Sequence, residues 1–285
     1  MVISGKNKVI RLIAAAVSLV ALATSAGCGA GTADAGKSDD IKQQTINPGK
    51  LTIATGQPAY APYVIDNKPE SGKGFESAVA YAVAEKMGFS KSDVTWTRTT
   101  FDAAIAPGSK DYDLNIQQFS MTPERKTAVD FTPSYYNPTQ SVIVRKDSKY
   151  ASAKTLADLK DASVAAMVGT TSYDFAKSKI KDDIKTFNDN VALSQALDSN
   201  QVDAIVDDTP TAVYVIEDNQ VKNAKVLGQI GGSEDPEGMG IVLPKDSKLT
   251  KAASKAVSDM TKDGSLKKLQ DTWLKEYTTD IPTLK

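Results

Sequence analysis

The 285-residue sequence predicts an α/β fold, and three observations carry that prediction. Short apolar or alternating runs recur along the chain; several of the segments between them carry apolar residues at three- and four-residue spacing; and three strand-to-helix junctions are rich in Gly, Ser, Thr and Asp. The first strand is read in "LTIAT" from Leu51, and "ESAVAYAVAEKM" follows as a helix that Gly88 stops. "VTWTRT" alternates as a strand does, and "DLNIQQF" is read as another. "SVIVRK", "SVAAMV", "VDAIV" and "KVLG" read likewise, with helical segments between several of them. "LTKAASKAVSDM" and "LKKLQDTWL" form two amphipathic helices separated by Gly264, and no strand is expected after them. No strong internal repeat is visible.

Composition narrows the chemistry. With 41% hydrophobic and 24% charged residues, the chain is long enough for two ordinary domains and is not a disordered protein. Its formal charge is −1, and loss of Lys6, Lys8 and Arg11 with an N-terminal leader takes this to −4, which disfavours a nucleic-acid partner. The sequence has no histidine, which excludes Ser-His-Asp and Cys-His nucleophile systems and histidine-containing metal sites. Only carboxylate, lysine, tyrosine or serine chemistry remains for an enzyme, and no metal or cofactor is expected.

The N-terminus "MVISGKNKVIRLIAAAVSLVALATSAGC" has a basic start, an apolar run from Leu12 to about Ala23 and small residues leading into Cys28, the anatomy of a secretory signal. The apolar run falls short of the roughly 20 residues of a membrane span. The small-residue approach to a cysteine resembles a bacterial lipoprotein signal, which implies that residues 1–27 are removed and Cys28 is lipidated. Ser25 departs from the aliphatic residue usual at that position. Residues 28–49, rich in Gly, Ala, Ser, Asp and Thr, read as a flexible tether with a reach of roughly 25 Å.

The three junctions carry the candidate site, because ligands of open α/β sheets gather at the carboxyl ends of strands. In "QQFSMTPER", Thr122 reads as an N-cap, Pro123 as the first helical residue and Glu124 as an early acid, so Arg125 adds a cation where the helix dipole is already positive. That placement makes sense if an anion joins it; otherwise Arg125 faces solvent beside Glu124 or Asp130. In "AAMVGTTSYDFA", Gly169, Thr170, Thr171 and Ser172 offer N–H groups and hydroxyls, or simply cap a turn. In "AIVDDTPTAVYV", Asp207 and Asp208 close a strand before a Thr-Pro helix start, where an aspartate is also a natural cap. Together they offer an arginine and hydroxyls for a carboxylate and an aspartate for an ammonium, the requirements of a free α-amino acid.

From about Leu51 to Tyr277 the sequence resembles an extracytoplasmic solute-binding protein of the polar amino-acid ABC-transporter family (family 3). The motifs are "ATGQPAYAPY", "FSMTPERKTAVDFTPSYY", "VGTTSYDFA", "LDSNQVDAIVDDTPTA" and "GIVLPKDSKL" with "KDGSLKKLQDTWL", in that order. The resemblance implies a two-lobed periplasmic-binding-protein-like fold with two crossing segments, near "NPTQ" and "EDPEGMG". Lobe I would comprise residues 50–138 and 238–285, and lobe II residues 139–237. It implies that Arg125 clamps the ligand carboxylate with Ser120 and Thr171, that Asp208 takes the ammonium, and that Tyr60 and Phe101 form apolar walls. Gln117, Gln118, Met167 and Ser172 would line the remainder, and Asp203 looks structural. The implied function is extracytoplasmic capture of an amino acid by a monomer on the outer face of the cytoplasmic membrane, for permease subunits served by a cytoplasmic ATPase.

Members of that family that bind cationic side chains commonly carry an acid where this chain has Gly56, so a neutral polar ligand of the glutamine or cystine type is expected. Pro107 and Gly108 interrupt a stretch that is usually more helical. Three rivals are weighed. A glycosidase pairing Asp207 with Asp208 is disfavoured, because adjacent strand residues point to opposite faces. A cyclohexadienyl-dehydratase-like enzyme shares the scaffold and the need for a carboxylate clamp, but capture fits Asp208 and an anchor better. A ligand-sensing subunit would bind the same molecule and report to a receptor.

Overall fold

The computed structural model describes residues 40–285; the signal-like segment, Cys28 and the tether up to residue 39 lie outside them. Residues 40–49, expected as tether, instead belong to the body. Ile41–Gln43 forms a short 3₁₀ turn, the Ile46 amide donates to Asp113 Oδ1 at 2.8 Å, and Asn47 bridges to Lys50. Asp113 also accepts from the Thr52 amide at 2.8 Å, so one buried carboxylate fastens this segment beside the first strand.

In chain order the elements are β1 (Leu51–Gly56), α1 (Phe75–Lys86), β2 (Val94–Thr99), α2 (Phe101–Ile105), β3 (Leu114–Asn115), α3 (Arg125–Ala128), β4 (Val129–Tyr136), β5 (Gln140–Arg145), β6 (Val164–Met167), α4 (Thr171–Lys179), β7 (Lys185–Phe187), α5 (Asn190–Asp198), β8 (Ala204–Asp208), α6 (Thr209–Glu217), β9 (Ala224–Ile230), β10 (Met239–Pro244), α7 (Thr250–Lys262), α8 (Ser265–Trp273) and β11 (Thr283–Leu284). They build two sheets, ordered β2-β1-β3-β10-β4 and β11-β9-β5-β8-β6-β7. β1 lies between parallel neighbours β2 and β3 and is buried along its whole length, Thr52 and Thr55 included.

Each sheet carries its own core. On the first, Ile53 and Leu114 pack with Val79 and Val83 of α1 and with Ala253, Ala256, Val257 and Met260 of α7, a helical stripe of three- and four-residue spacing. On the second, Val142, Val164 and Val206 belong to one cluster, whereas Ile143, Ala165 and Ile205 face Leu193, Leu197, Ala212 and Val215 of α5 and α6 on the other side. The chain passes between sheets after β4 and again between β9 and β10. Asn137 on the first passage donates to the Asp235 carbonyl on the second at 2.8 Å and accepts from the Asp235 amide at 3.2 Å. This is the two-lobed α/β architecture.

A further passage was not expected. After α8 packs on the first core, the C-terminal residues return to the second sheet, where β11 pairs in parallel with β9. The expectation that no strand follows the last helices, and that residues 238–285 all belong to lobe I, is therefore corrected at 283–284. The physical reason is Gly228 of β9, which lacks the side chain that would block the tail: a Cβ there would sit 2.8 Å from the Leu284 amide nitrogen. Leu284 is only 2% exposed and joins the second core. The "DLNIQQF" stretch is also shorter as a strand than expected, since only Leu114–Asn115 pairs.

Candidate functional site

One cleft, between the ends of the two sheets, is lined by Tyr60, Phe101, Gln117, Gln118, Ser120, Arg125, Met167, Thr171, Ser172 and Asp208, all ten residues singled out from the sequence. Thr55, Gly56, Thr170, Asn190, Asp207 and Thr211 line it as well. Tyr60 to Arg125 come from the first lobe, and Met167 onward from the second.

Arg125 is not a solvent-facing residue: it is 8% exposed, and Asp130 pairs instead with Lys245 at 3.3 Å. Its Nη1 donates to the Ser120 carbonyl at 2.7 Å and its Nη2 to the Gly169 carbonyl, across the cleft, at 2.8 Å. The Phe101 ring lies against the guanidinium, 5.3 Å from ring centroid to Cζ, and packs on Phe119. Burial lowers the Arg125 pKa from its ordinary value, while Asp235, Asp174, Glu124 and Asp208 oppose that. An arginine remains charged through such a shift, so the cleft holds a fixed cation with N–H groups left over for an anion. The helix behind it is smaller than expected. Thr122 accepts from the Arg125 amide at 3.2 Å, but the N-cap position of α3 falls to Glu124, which makes no side-chain cap hydrogen bond, and α3 is one turn of four residues, so its dipole contributes little field. Hydrogen bonds to two carbonyls, not a helix terminus, fix the guanidinium.

Thr170 caps α4 through its side chain, which frees Thr171 to reach the other lobe. The Thr171 hydroxyl donates to Asp235 Oδ2 at 3.2 Å, so Ser120 Oγ is the donor in its 3.1 Å contact with Thr171. The lobes meet through this chain of hydroxyls. Asp203, assigned a structural role, accepts from the Ser163 amide at 2.8 Å.

Asp208 occupies the N-cap position of α6 yet makes no side-chain cap hydrogen bond. Its Oδ1 instead accepts from Gln140 Nε2 at 2.8 Å, and Gln140 itself is 1% exposed. Burial raises the Asp208 pKa well above the carboxylate range, and the neighbouring Asp207 pushes it further. Burial raises Asp207 too, against the Asp208 amide that donates to its Oδ1 at 2.8 Å. A cation placed beside this pair favours the ionised carboxylates and offsets part of their desolvation cost. Asp207 and Asp208 are adjacent at the end of β8. They do follow opposite faces, after Val206 and Ile205, but the strand ends at the cleft and both line it.

Gln117 and Gln118 also both line the cleft, because Gln118 has a positive φ of 52° and breaks the alternation. Glu76 of α1, fully buried, holds that conformation: its Oε1 accepts from the Gln118 amide at 2.8 Å, its Oε2 from Gln118 Nε2, and Tyr135 donates to it from the far side. Burial nonetheless raises the Glu76 pKa to about 7. Gln117 keeps an Oε1 buried without a partner among the described residues. Gly56 leaves room for it, since a Cβ there would meet Pro58 O at 2.8 Å and Gln117 Nε2 at 3.2 Å. Tyr60 likewise has a buried hydroxyl without a partner among the described residues, its pKa raised to about 12 by burial and by Asp189 and Asp207.

Reading the sequence missed Glu76, Gln140, Asp235 and the lining role of Asp207. Only Asp207 carried a local signal, its place beside Asp208 at a strand end. The others reach the site through contacts 42 to 68 residues distant in sequence.

Residues 51–276 match the model of the bacterial extracellular solute-binding proteins, family 3. The chain is 27% identical over 244 residues to the L-cystine-binding protein TcyJ of Escherichia coli (strain K12), covering 85% of this chain and 87% of that one. Among solved structures, an ancestral arginine-binding protein bound to arginine superposes with a TM-score of 0.66 at 32% identity, covering 79% of this chain and 98% of the other. An ancestral arginine-binding protein bound to glutamine gives 0.64 at 31% identity, covering 79% and 97%. With a family match that spans most of its length and a two-lobed fold to go with it, the chain belongs to the bacterial extracellular solute-binding proteins of family 3.

Proposed function

We propose that the chain captures a free α-amino acid with an uncharged polar side chain, glutamine or cystine, for delivery to the permease of an ABC transporter. The observation that carries this reading is the placement of Arg125 on one lobe and Asp208 on the other, lining the same cleft. Arg125, with Ser120 and Thr171, holds the carboxylate, and Asp208 takes the ammonium. A ligand held by both lobes stabilises the closed arrangement over an open one, and closure is the event a permease reads. Tyr60, Phe101 and Met167 flank the side chain, Ser172, Gln117 and Gln118 supply polar contacts, and Gly56 puts no charge opposite it. A relative bears the name of a cystine-binding protein and a structural neighbour holds glutamine, which supports the same ligand class. The role is binding without turnover, by a monomer.

Attachment to the outer face of the cytoplasmic membrane through lipid on Cys28 belongs to the same proposal. Cys28→Ser protein should leave the membrane fraction; its retention after a high-salt wash contradicts the anchor. The ligand reading is tested by a thermal-shift screen of the purified protein against the common amino acids and cystine. Glutamine or cystine should raise the melting temperature, with lysine, arginine and aspartate leaving it nearly unmoved. A ligand at about 100 times its dissociation constant stabilises by roughly 2.7 kcal/mol, an easily read shift. A shift with one of the charged three and none with neutral polar ligands contradicts the proposed selectivity.

A further inference from the structure

Beyond the carboxylate and ammonium contacts, the cleft contains acceptors that neither end of an amino acid uses. Asp207 spends Oδ1 on the Asp208 amide, and its Oδ2 takes no hydrogen bond among the described residues. On the other lobe, Gln117 has its Oε1 buried without a partner among the described residues. Both line the cleft together with Tyr60, on whose hydroxyl Asp207 acts electrostatically, whereas Asp208 and Asp235 act on Arg125. Burying an acceptor without a donor costs about 1–3 kcal/mol, so Gln117 Oε1 asks for hydrogen on the ligand, and the half-buried Asp207 adds a carboxylate oxygen to the same cleft.

From this juxtaposition we infer that Asp207 and Gln117 form a distal subsite that selects a side chain ending in a nitrogen that bears hydrogens. Asp207 is the specificity-determining residue, and the inference rests on the amino-acid reading of the cleft. An amide NH₂ or a second ammonium gives its hydrogens to Asp207 Oδ2 and Gln117 Oε1. A carboxylate of the same size brings lone pairs against lone pairs and a negative charge beside two aspartates, so it is rejected by repulsion as well as by lack of donors. Sites built around buried hydrogen-bonding groups can discriminate by factors of about 10⁴ against a ligand that cannot satisfy them. Gly56 withholds a carboxylate on lobe I, but Asp207 offers one on lobe II, so the defining property of the ligand is its terminal N–H.

Glutamine and glutamate test this, since they differ only in the terminal group. Calorimetric titration of both into the wild-type protein and into Asp207→Asn is the experiment. Asparagine keeps the acceptor for the Asp208 amide and adds a donor. Wild type should prefer glutamine by at least about 100-fold, and Asp207→Asn should shrink that preference at least tenfold, chiefly by gaining glutamate. Asp207→Ala provides a second reading: because it also removes the acceptor of the Asp208 amide, both ligands should change, but glutamine should weaken about tenfold more than alanine, which does not reach the subsite. Equal binding of the two ligands by wild type, or an unchanged ratio in a folded Asp207→Asn protein, overturns the inference. Strong binding of lysine or arginine would contradict only the neutrality of the proposed ligand and would support a donor-selecting subsite. A wild-type protein that binds no amino acid overturns both.

Discussion

Arg125 donates from Nη2 to the carbonyl oxygen of Gly169, 2.8 Å away on the opposite lobe. One guanidinium therefore ties the loop before α4 to the first lobe, and in the proposed function the same group would position the ligand carboxylate. With Ser120 and Thr171 in hydroxyl contact alongside, the proposed function has closure and ligand contact engage the same few atoms. Changes at Arg125 should thus alter affinity and lobe closure together.

Arg125→Ala removes the clamp. Leaving a desolvated carboxylate unpaired costs about 2–5 kcal/mol, so affinity for the amino acid should fall by tens- to thousands-fold while the protein still folds. Calorimetry on the variant, with circular dichroism as the folding check, measures this. Unchanged affinity in a folded protein would remove Arg125 from the ligand site.

Asp208→Asn separates the two ends of the ligand. The ammonium loses its charged partner, so amino acids should bind at least tenfold more weakly, an effect of about 1.4 kcal/mol or more. A carboxylate of similar size lacking the ammonium should change little. The substitution also relieves the repulsion between Asp207 and Asp208, so the unliganded variant should be no less stable than wild type. A fall in melting temperature without loss of affinity would make Asp208 a structural residue.

Glu76 should make stability depend on pH. Burial raises its pKa from 4.5 to about 7, so the folded chain holds a proton that the unfolded chain has released over that interval. Stability from this group is fully present below about pH 4.5 and is lost as pH rises toward about 7. The loss is on the order of 3 kcal/mol at most. Asp207 and Asp208 act in the same direction. Glu76→Gln should flatten the profile of urea-unfolding free energy between those limits, whatever its effect on the mean. A slope identical to wild type would contradict the assignment.

The C-terminal strand should contribute to the second lobe. Leu284→Ala should cost roughly 2–4 kcal/mol, as for other buried leucines. Gly228→Ala should destabilise as well, because its Cβ would crowd the Leu284 amide at 2.8 Å and Pro282 O at 3.1 Å. Since both act on one contact, the double variant should lose less than the sum of the singles. Strict additivity in denaturant titrations would mean the tail and β9 do not share that contact.

The sequence made legible whatever depends on local periodicity or on chain-adjacent chemistry. The buried run of β1, the helical spacing in α1 and α7, the stop at Gly264 and the three cleft-facing junctions could all be read from residue order. What it hid depends on distant partners. The left-handed turn at Gln118 is held by Glu76, 42 residues away, so no local pattern marks where β3 ends. β11 is two residues long and exists because Gly228 leaves space for it. Residues 40–49 have a tether's composition but are pinned by Asp113, 67 residues from Ile46. Asp207 was read correctly as to its strand face, and its entry into the cleft comes from the strand ending there.

The central claim, that the cleft between the lobes captures one amino acid through Arg125 and Asp208, is tested most directly by equilibrium titration of the purified wild-type protein with glutamine and with cystine. The account predicts saturable binding of at least one of them to one site per chain, with the decarboxylated and the deaminated analogues each competing at least tenfold more weakly. Absence of saturable binding for every amino acid tried, or equal binding of an analogue that lacks either end group, would contradict it.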